Sequence, residues 1–244
     1  MLKIGHRGAP GYPQRGENTI HSFWKAVWSG ADAIEFGVRR SKDGRLVVIN
    51  DATIDRTTNG KGKVKDFSYE ELLRYNAGFE EKIPTLGEVL MTFGQHCFLH
   101  IELKEQGLVS DVIETVNLLG LKNRVCLSAF DEDDSEPESP TSWEELRRAR
   151  AAGVATALLA RYGKVSGDGR VVRYKNYIRV AEALGARAIH PEAAVVRECG
   201  KEIIHFAREK GLLVNVWTVN SPSEIEDFRR LGVNGIISDF PELL

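Results

Sequence analysis

Eight short apolar runs, alternating with helical patterns along 244 residues, predict a (β/α)8 TIM barrel, an α/β fold. Two further observations favour it. The units are evenly spaced and more numerous than an open sheet usually holds. No Gly-x-Gly-x-x-Gly follows the first run, which leaves a doubly wound sheet as the runner-up. With 42% hydrophobic residues, the chain is long enough to fill such a domain, taken here as residues 1–244.

The elements follow in order. Leu2–His6 is the first strand. In Asn18–Gly30, Ile20, Phe23, Trp24 and Val27 recur at i, i+3, i+4 and i+7, the period of an amphipathic helix. Ala33–Gly37 is the second strand, and it runs on into a hairpin that leaves the barrel. Asp43-Gly44 predicts a two-residue type I′ turn, because Gly takes positive φ at little cost. Counting outward from that turn, Arg40 faces Val47, Val38 faces Ile49 and Gly37 faces Asn50. Residues 51–65 form a turn-rich loop. Ser68 with Glu71, Thr85 with Glu88, Ser142 with Glu145 and Ser221 with Glu224 read as helix caps of the Ser/Thr-x-x-Glu type.

Strands three to eight are Phe98–Lys104, Val125–Phe130, Ala155–Ala160, Ala186–His190, Leu213–Val219 and Gly235–Asp239. Between them the spacing predicts helices over Val109–Leu119 and Tyr177–Leu184, with Ile203–Lys210 inside another. The final helix is truncated or absent. Two loops are unusual in charge. Asp131–Pro140 holds six acids in ten residues and reads as a solvated loop. Arg161–Lys175 is basic and emerges on the same face of the barrel.

Composition excludes several classes. A net charge of −2 gives no global field for nucleic acid. No apolar run nears the ~20 residues of a membrane span. The first strand starts at Leu2, so no signal peptide is expected. Cys97, Cys126 and Cys199 lack metal-ligand spacing, so reduced core thiols and a cytoplasmic location are expected. Oligomeric state is not predicted.

In such barrels chemistry sits where strands end. Those ends carry His6-Arg7, Glu35, Asn50-Asp51, Glu102-Leu103-Lys104, Trp217 and Asp239, with Glu17-Asn18 in the first loop. Glu35 and Glu102 are expected at matching height, fit for a hard divalent ion. Arg7 and Lys104 suit a phosphate. His6 offers an imidazole for acid–base work, and Trp217 offers a flat wall. Together they suggest a metal-assisted phosphoester site. Glu17 and Asn18 also read as caps of the first helix, and Asp239 as a partner of a neighbouring loop or cation. His100 and His190 are reserve proton donors or buried barrel histidines.

His6-Arg7-Gly8, Glu17-Asn18-Thr19, KDGRLVVIND with Asp55-Arg56-Thr57-Thr58, IELK at 101–104, VNVWTVN at 214–220 and GIISDFP at 235–241 resemble the glycerophosphodiester phosphodiesterases. These are TIM-barrel relatives of the phosphatidylinositol-specific phospholipases C. The resemblance implies divalent-metal-dependent hydrolysis of glycerophosphodiesters to glycerol 3-phosphate and an alcohol. It implies His6 as a catalytic histidine and Arg7 and Lys104 as phosphate contacts; Arg7 and Lys104 are taken as catalytic with it, and Trp217 and Asn50 join them as expected substrate contacts. It implies Glu35 and Glu102 as ligands of Mg²⁺ or Ca²⁺, with Mn²⁺ also possible. The family pattern has Glu-x-Asp where this chain has Glu35-Phe36-Gly37, and His-Asp where it has Asn50-Asp51. Three functions therefore stay open: a metal-dependent phosphodiesterase, a silent barrel that binds phosphoesters, and a phospholipase-type or cyclising transesterification.

Overall fold

The structure, a computed structural model, describes residues 1–11, 16–130, 143–161 and 169–244. The strands are β1 (Leu2–His6), β2 (Ala33–Arg40), β3 (Leu46–Val48), β4 (Phe98–Leu103), β5 (Val125–Ala129), β6 (Ala155–Ala160), β7 (Ala188–Pro191), β8 (Leu213–Val216) and β9 (Gly235–Ser238). Eight of them run parallel in the order β1-β9-β8-β7-β6-β5-β4-β2, and β1 pairs back to β2 to close the ring. The closure makes this a TIM barrel and excludes the open sheet. β3 lies outside the ring, antiparallel on β2.

Register partners on parallel strands point the same way, and side chains alternate along each strand. Ile34, Phe36, Val38, Leu99, Ile101 and Leu127 point outward into the main core, against the helices. Ile4, Ala33 and Ile237 point into the barrel. The first helix, α1 (Ile20–Trp28), turns Phe23 and Ala26 into the outer core, where Phe23 packs against Phe36 and Phe93. A buried Phe such as Phe23 contributes about 1.5–3 kcal/mol of apolar transfer energy, so the predicted helical stripe determines which way α1 faces.

Several expectations change. Thr19, not Asn18, caps α1, accepting from the Ser22 N–H; Asn18 instead takes a left-handed conformation at φ 58°. Ser68 with Glu71 and Thr85 with Glu88 form the predicted reciprocal caps. Ser221 makes no side-chain cap, and Glu224 pairs with Arg197. Glu145 accepts from the Val109 N–H at the start of α4 (Val109–Leu118), 3.0 Å away. The predicted helix over Tyr177–Leu184 begins earlier, as Gly169–Ala183. Tyr174, Tyr177, Ile178 and Ala181 are its buried stripe at helical spacing. Arg173 and Lys175 thus belong to that helix rather than to a rim loop, and Lys175 pairs with Glu202 at 2.6 Å. The chain after β9 forms a single 3₁₀ turn, Pro241–Leu243. The acidic stretch Asp131–Pro140, Ser142 and residues 162–168 lie outside the described residues.

The hairpin closes one residue away from the predicted register. Gly44 N–H donates to the Ser41 carbonyl and Ser41 N–H to the Arg45 carbonyl, with Gly44 at φ 84°. This is a three-residue loop, Lys42-Asp43-Gly44, ending in a left-handed glycine rather than a two-residue turn. Arg40 therefore faces Leu46 and Val38 faces Val48, and Ile49 N–H donates to the Gly37 carbonyl. Two causes favour this register. The Ser41 hydroxyl bonds Asp43 and accepts from the Arg45 N–H, fixing the longer loop. The slip also turns Leu46 and Val48 into the main core, while Val47 and Ile49 fill a second cluster with Ile54 and Leu72. Gly37 and Asn50 remain close: a Cβ on Gly37 would lie 3.2 Å from the Asn50 Cα.

On the inner face of β2, beyond Glu35 and Gly37, stands Arg39, only 1% exposed. Its Nε donates to the Asn50 carbonyl at 2.8 Å and its Nη1 to the Lys104 carbonyl at 3.3 Å. It thereby ties the hairpin's return to the end of β4. Arg39→Met leaves both carbonyls without that donor, and is expected to lower stability by about 2–4 kcal/mol. A urea midpoint unchanged from the parent would show that Arg39 is not the tie.

Candidate active site

A cavity of 320 Å³ opens at the C-terminal ends of the strands. His6, Arg7, Glu35, Asn50, Glu102, Lys104 and Trp217 all line it, so every site residue expected from the sequence comes to one place.

His6 ends β1. Its Nδ1 lies 2.7 Å from Asp239 Oδ1. A carboxylate can only accept, so the ring proton sits on Nδ1. The other nitrogen, Nε2, faces the cavity 3.9 Å from Glu35. Asp239 is itself held by Asn220, whose Nδ2 donates to it at 2.7 Å and whose Oδ1 accepts from its backbone N–H at 2.9 Å. This Asn-Asp-His chain fixes the orientation and tautomer of His6.

Arg7 takes φ 54° directly after β1, and its N–H donates to Glu35 at 3.3 Å. Its guanidinium reaches Glu17 at 2.9 Å. Arg56 reaches the same carboxylate at 2.7 Å and holds Asp51 with two further bonds. Glu17 is 2% exposed. Burial alone would push its carboxyl up. The hydrogen bond from Arg56 and the charge of Arg7 outweigh burial and hold it below the usual carboxylate range. Glu17 is thus an anchor for two arginines from two loops, not a helix cap.

Glu35 and Glu102 are not direct register partners. Glu35 is in register with His6 on one side and His100 on the other, while Glu102 is in register with Gly37, one pleat further along. Burial pushes the Glu35 carboxyl up and the neighbouring Glu102 charge adds to this, against the pull of His6, Arg7 and Lys104. Glu102 pairs with Lys104 at 2.9 Å. Among the described residues, no three or more His, Cys, Asp or Glu side chains are grouped closely enough to cage a metal. Two adjacent carboxylates, one poorly compensated, suit an ion that fills its other positions with water and ligand oxygens. Mg²⁺ accepts that arrangement; Ca²⁺, which takes more ligands, suits it less.

The profile of the glycerophosphoryl diester phosphodiesterase family matches residues 6–243. The chain belongs to this family. It is 34% identical to a glycerophosphodiester phosphodiesterase of Caldanaerobacter subterraneus subsp. tengcongensis, matching all of this chain and 96% of that one. It superposes on the crystal structure of the glycerophosphodiester phosphodiesterase of Agrobacterium tumefaciens with a TM-score of 0.80 and 28% identity, covering 100% of this chain and 98% of that one. It shares its fold with an Oleispira antarctica phosphodiesterase solved with the product sn-glycerol-3-phosphate, at a TM-score of 0.78 and 23% identity, covering 99% and 94% of the two chains.

In this family member the far wall of the cavity is aromatic. Trp217 donates its indole N–H to the His190 carbonyl at 2.7 Å and meets Phe130 edge-on, with centroids 5.8 Å apart. The Arg161 guanidinium lies 4.4 Å from the Phe130 ring centroid. Phe130, Arg161 and Arg56 were not expected at the site. Phe130 and Arg161 follow strand ends, a signal the sequence does carry; nothing local marks Arg56 as reaching Glu17.

His100 and His190 are buried inside the barrel and stacked, 5.3 Å apart at 16°. Asn215 Nδ2 donates to His190 Nε2 at 3.0 Å, so that nitrogen carries no proton. Burial lowers His100 to about 4 and His190 well below its ordinary value. Neither is a ready proton donor at neutral pH. Both titrate near 6.5 once unfolded, so the unfolded chain binds more protons between pH 6.5 and about 4. Stability therefore rises with pH through that window; their contribution is complete above it and lost as pH falls. His100→Leu is expected to remove about 2 kcal/mol of the stability lost between pH 7 and 5. Parallel urea titrations at the two pH values check this, and equal declines in parent and variant would refute it.

Proposed function

We propose that this chain hydrolyses glycerophosphodiesters to glycerol 3-phosphate and an alcohol, with help from a divalent metal. The observation that carries the reading is the Asn220-Asp239-His6 chain, which aims His6 Nε2 into the cavity shared with Glu35, Glu102, Arg7 and Lys104. Family membership and the product-bound Oleispira relative support it.

The steps follow from these groups. The phosphoryl oxygens sit against Lys104 and Arg7, whose charges oppose the negative charge that builds during attack. An attacking water gives one proton to His6 Nε2 while its oxygen forms the new P–O bond. Asp239 stabilises the imidazolium that results. The P–O bond to the departing alcohol breaks, and that oxygen takes a proton from His6 or from water. Asn50, whose amide can donate a hydrogen bond but no proton, orients the leaving oxygen. A divalent ion on Glu35 and Glu102 would add positive charge at the phosphoryl oxygens. Trp217 and Phe130 form the wall against which the alcohol packs.

One pair of residues favours a second reading, a silent barrel that binds phosphoesters. Gly37 offers no carboxylate opposite Glu102, and Asn50 exchanges no proton near neutral pH. Loss of an acid–base partner costs about 10²–10⁴-fold in rate. A side chain at Gly37 is feasible but tight, because its Cβ would lie 3.0 Å from Lys104 Cγ, which must swing aside.

Purified protein assayed on glycerophosphocholine with Mg²⁺ is expected to turn over, and His6→Ala to lower kcat/KM by about 10²–10⁴-fold. Chelation by EDTA is expected to abolish turnover, and added Mg²⁺ to restore it. Gly37→Asp with Asn50→His is expected to raise kcat. Turnover indifferent to His6→Ala would overturn the assignment of the base. No turnover in the parent with strong turnover in the double variant would establish the second reading instead.

A further inference from the structure

The barrel has a second opening at the opposite end, beneath the N-termini of the strands. Most of a TIM barrel's interior is filled by side chains, yet here a cavity of 620 Å³ enters between β4, β5, β6, β7 and β8. Its charged lining residues are Lys122, Arg150 and Arg187, and no Asp or Glu lines it among the described residues. None of the three cations forms an ion pair with a described residue. Their placement is supported by the turns beneath them. Lys122 Nζ lies 2.9 Å from where a Cβ on Gly153 would stand, and Arg150 Nε lies 3.4 Å from the same point on Gly185. Both glycines have positive φ, 77° and 65°, so the bare backbone that admits the two cations is also what these turns require.

Deeper in, His100 lines this cavity, and its Nδ1 is buried without a hydrogen-bond partner. A buried polar atom left unpaired costs about 1–3 kcal/mol, so such an atom beside an open cavity points to a ligand or water that satisfies it. The stacked rings of His100 and His190 separate this space from the catalytic mouth, which His190 lines. Complementing helix ends does not account for the cations. Arg150 does sit in the last turn of α5 (Trp143–Ala151), where a cation favours the carbonyl end. Lys122 lies in a single 3₁₀ turn, Lys122–Arg124, too short to carry a helix dipole, and Arg187 precedes β7 outside any helix.

We propose that this lower mouth is a second anion site, which takes a phosphate group, free or carried on a small molecule. The three cations hold the phosphate at the rim, and a polar substituent reaches His100 Nδ1. It is independent of catalysis at the upper mouth.

The test is a titration of the full ¹⁵N-labelled chain with inorganic phosphate, and separately with glycerol 3-phosphate, at constant ionic strength with chloride as the balance. The backbone amides of Gly153, Gly185 and Arg187 report the lower mouth. Saturable shifts at these amides are expected, weakened at least tenfold in Arg150→Gln with Arg187→Gln and retained in Lys104→Gln, which removes a cation from the upper mouth only. Both arginines are exposed, so the double variant is expected to keep the parent's urea midpoint. Tighter binding of glycerol 3-phosphate than of phosphate would assign the site to a phosphate ester; equal binding would assign it to the free ion. Shifts confined to the upper mouth, or lower-mouth shifts that the double variant leaves unchanged, would overturn the proposal.

Discussion

The structure depends on β1 pairing with two strands at once. Its partners are β2 and β9, nearly the full length of the chain apart, and only that double pairing closes the ring. Closure is also what assembles the site. His6 comes from β1, Glu35 from β2 and Asp239 from the end of β9, so the imidazole is gripped on one side and faces a carboxylate on the other only when the barrel is shut. Folding and the assembly of this arrangement are therefore the same event, and a variant that loosens β1 is expected to lose both together.

Closure places many charges in a space where charge is costly, and the chain handles them unequally. Glu17, Glu102, Lys104 and Arg39 each find a partner within hydrogen-bond distance. Glu35 is held more weakly: its contacts are a 3.3 Å hydrogen bond from the Arg7 backbone N–H and an imidazole nitrogen at 3.9 Å. An undercompensated carboxylate in a sealed fold lowers stability, and persists where function uses it. The same logic separates the two histidine environments. His6 is held at the rim by an anion and meets solvent. His100 and His190 lie stacked below it, neutral, as a partition inside the barrel.

The hairpin after β2 keeps Gly37 and Asn50 in one patch. Gly37 and Asn50 stay side by side in spite of the altered register, because Ile49 bonds to Gly37 and the chain then turns Asn50 into the cavity. The space a side chain at Gly37 would claim is now crossed by the Lys104 stem. Gly37 and Asn50 thus share one contact region beneath one lysine.

By itself the sequence determined what local periodicity and end signals can carry. Apolar runs of strand length alternating with 3.6-residue stripes specified the barrel. The polar residues at the strand ends named the lining of the upper cavity: His6, Arg7, Glu35, Asn50, Glu102, Lys104 and Trp217. Register was beyond it. The hairpin slip depended on the Ser41 hydroxyl and on which face could bury Leu46 and Val48. The relative heights of Glu35 and Glu102 depended on how β2 and β4 pair. Arg56 on Glu17, Arg39 beneath the hairpin and the basic lower mouth join residues distant in sequence, and no local pattern encodes a distance across a closed sheet. Those were settled only when packing fixed the register of every strand, because a shift of one residue moves a side chain from one face to the other.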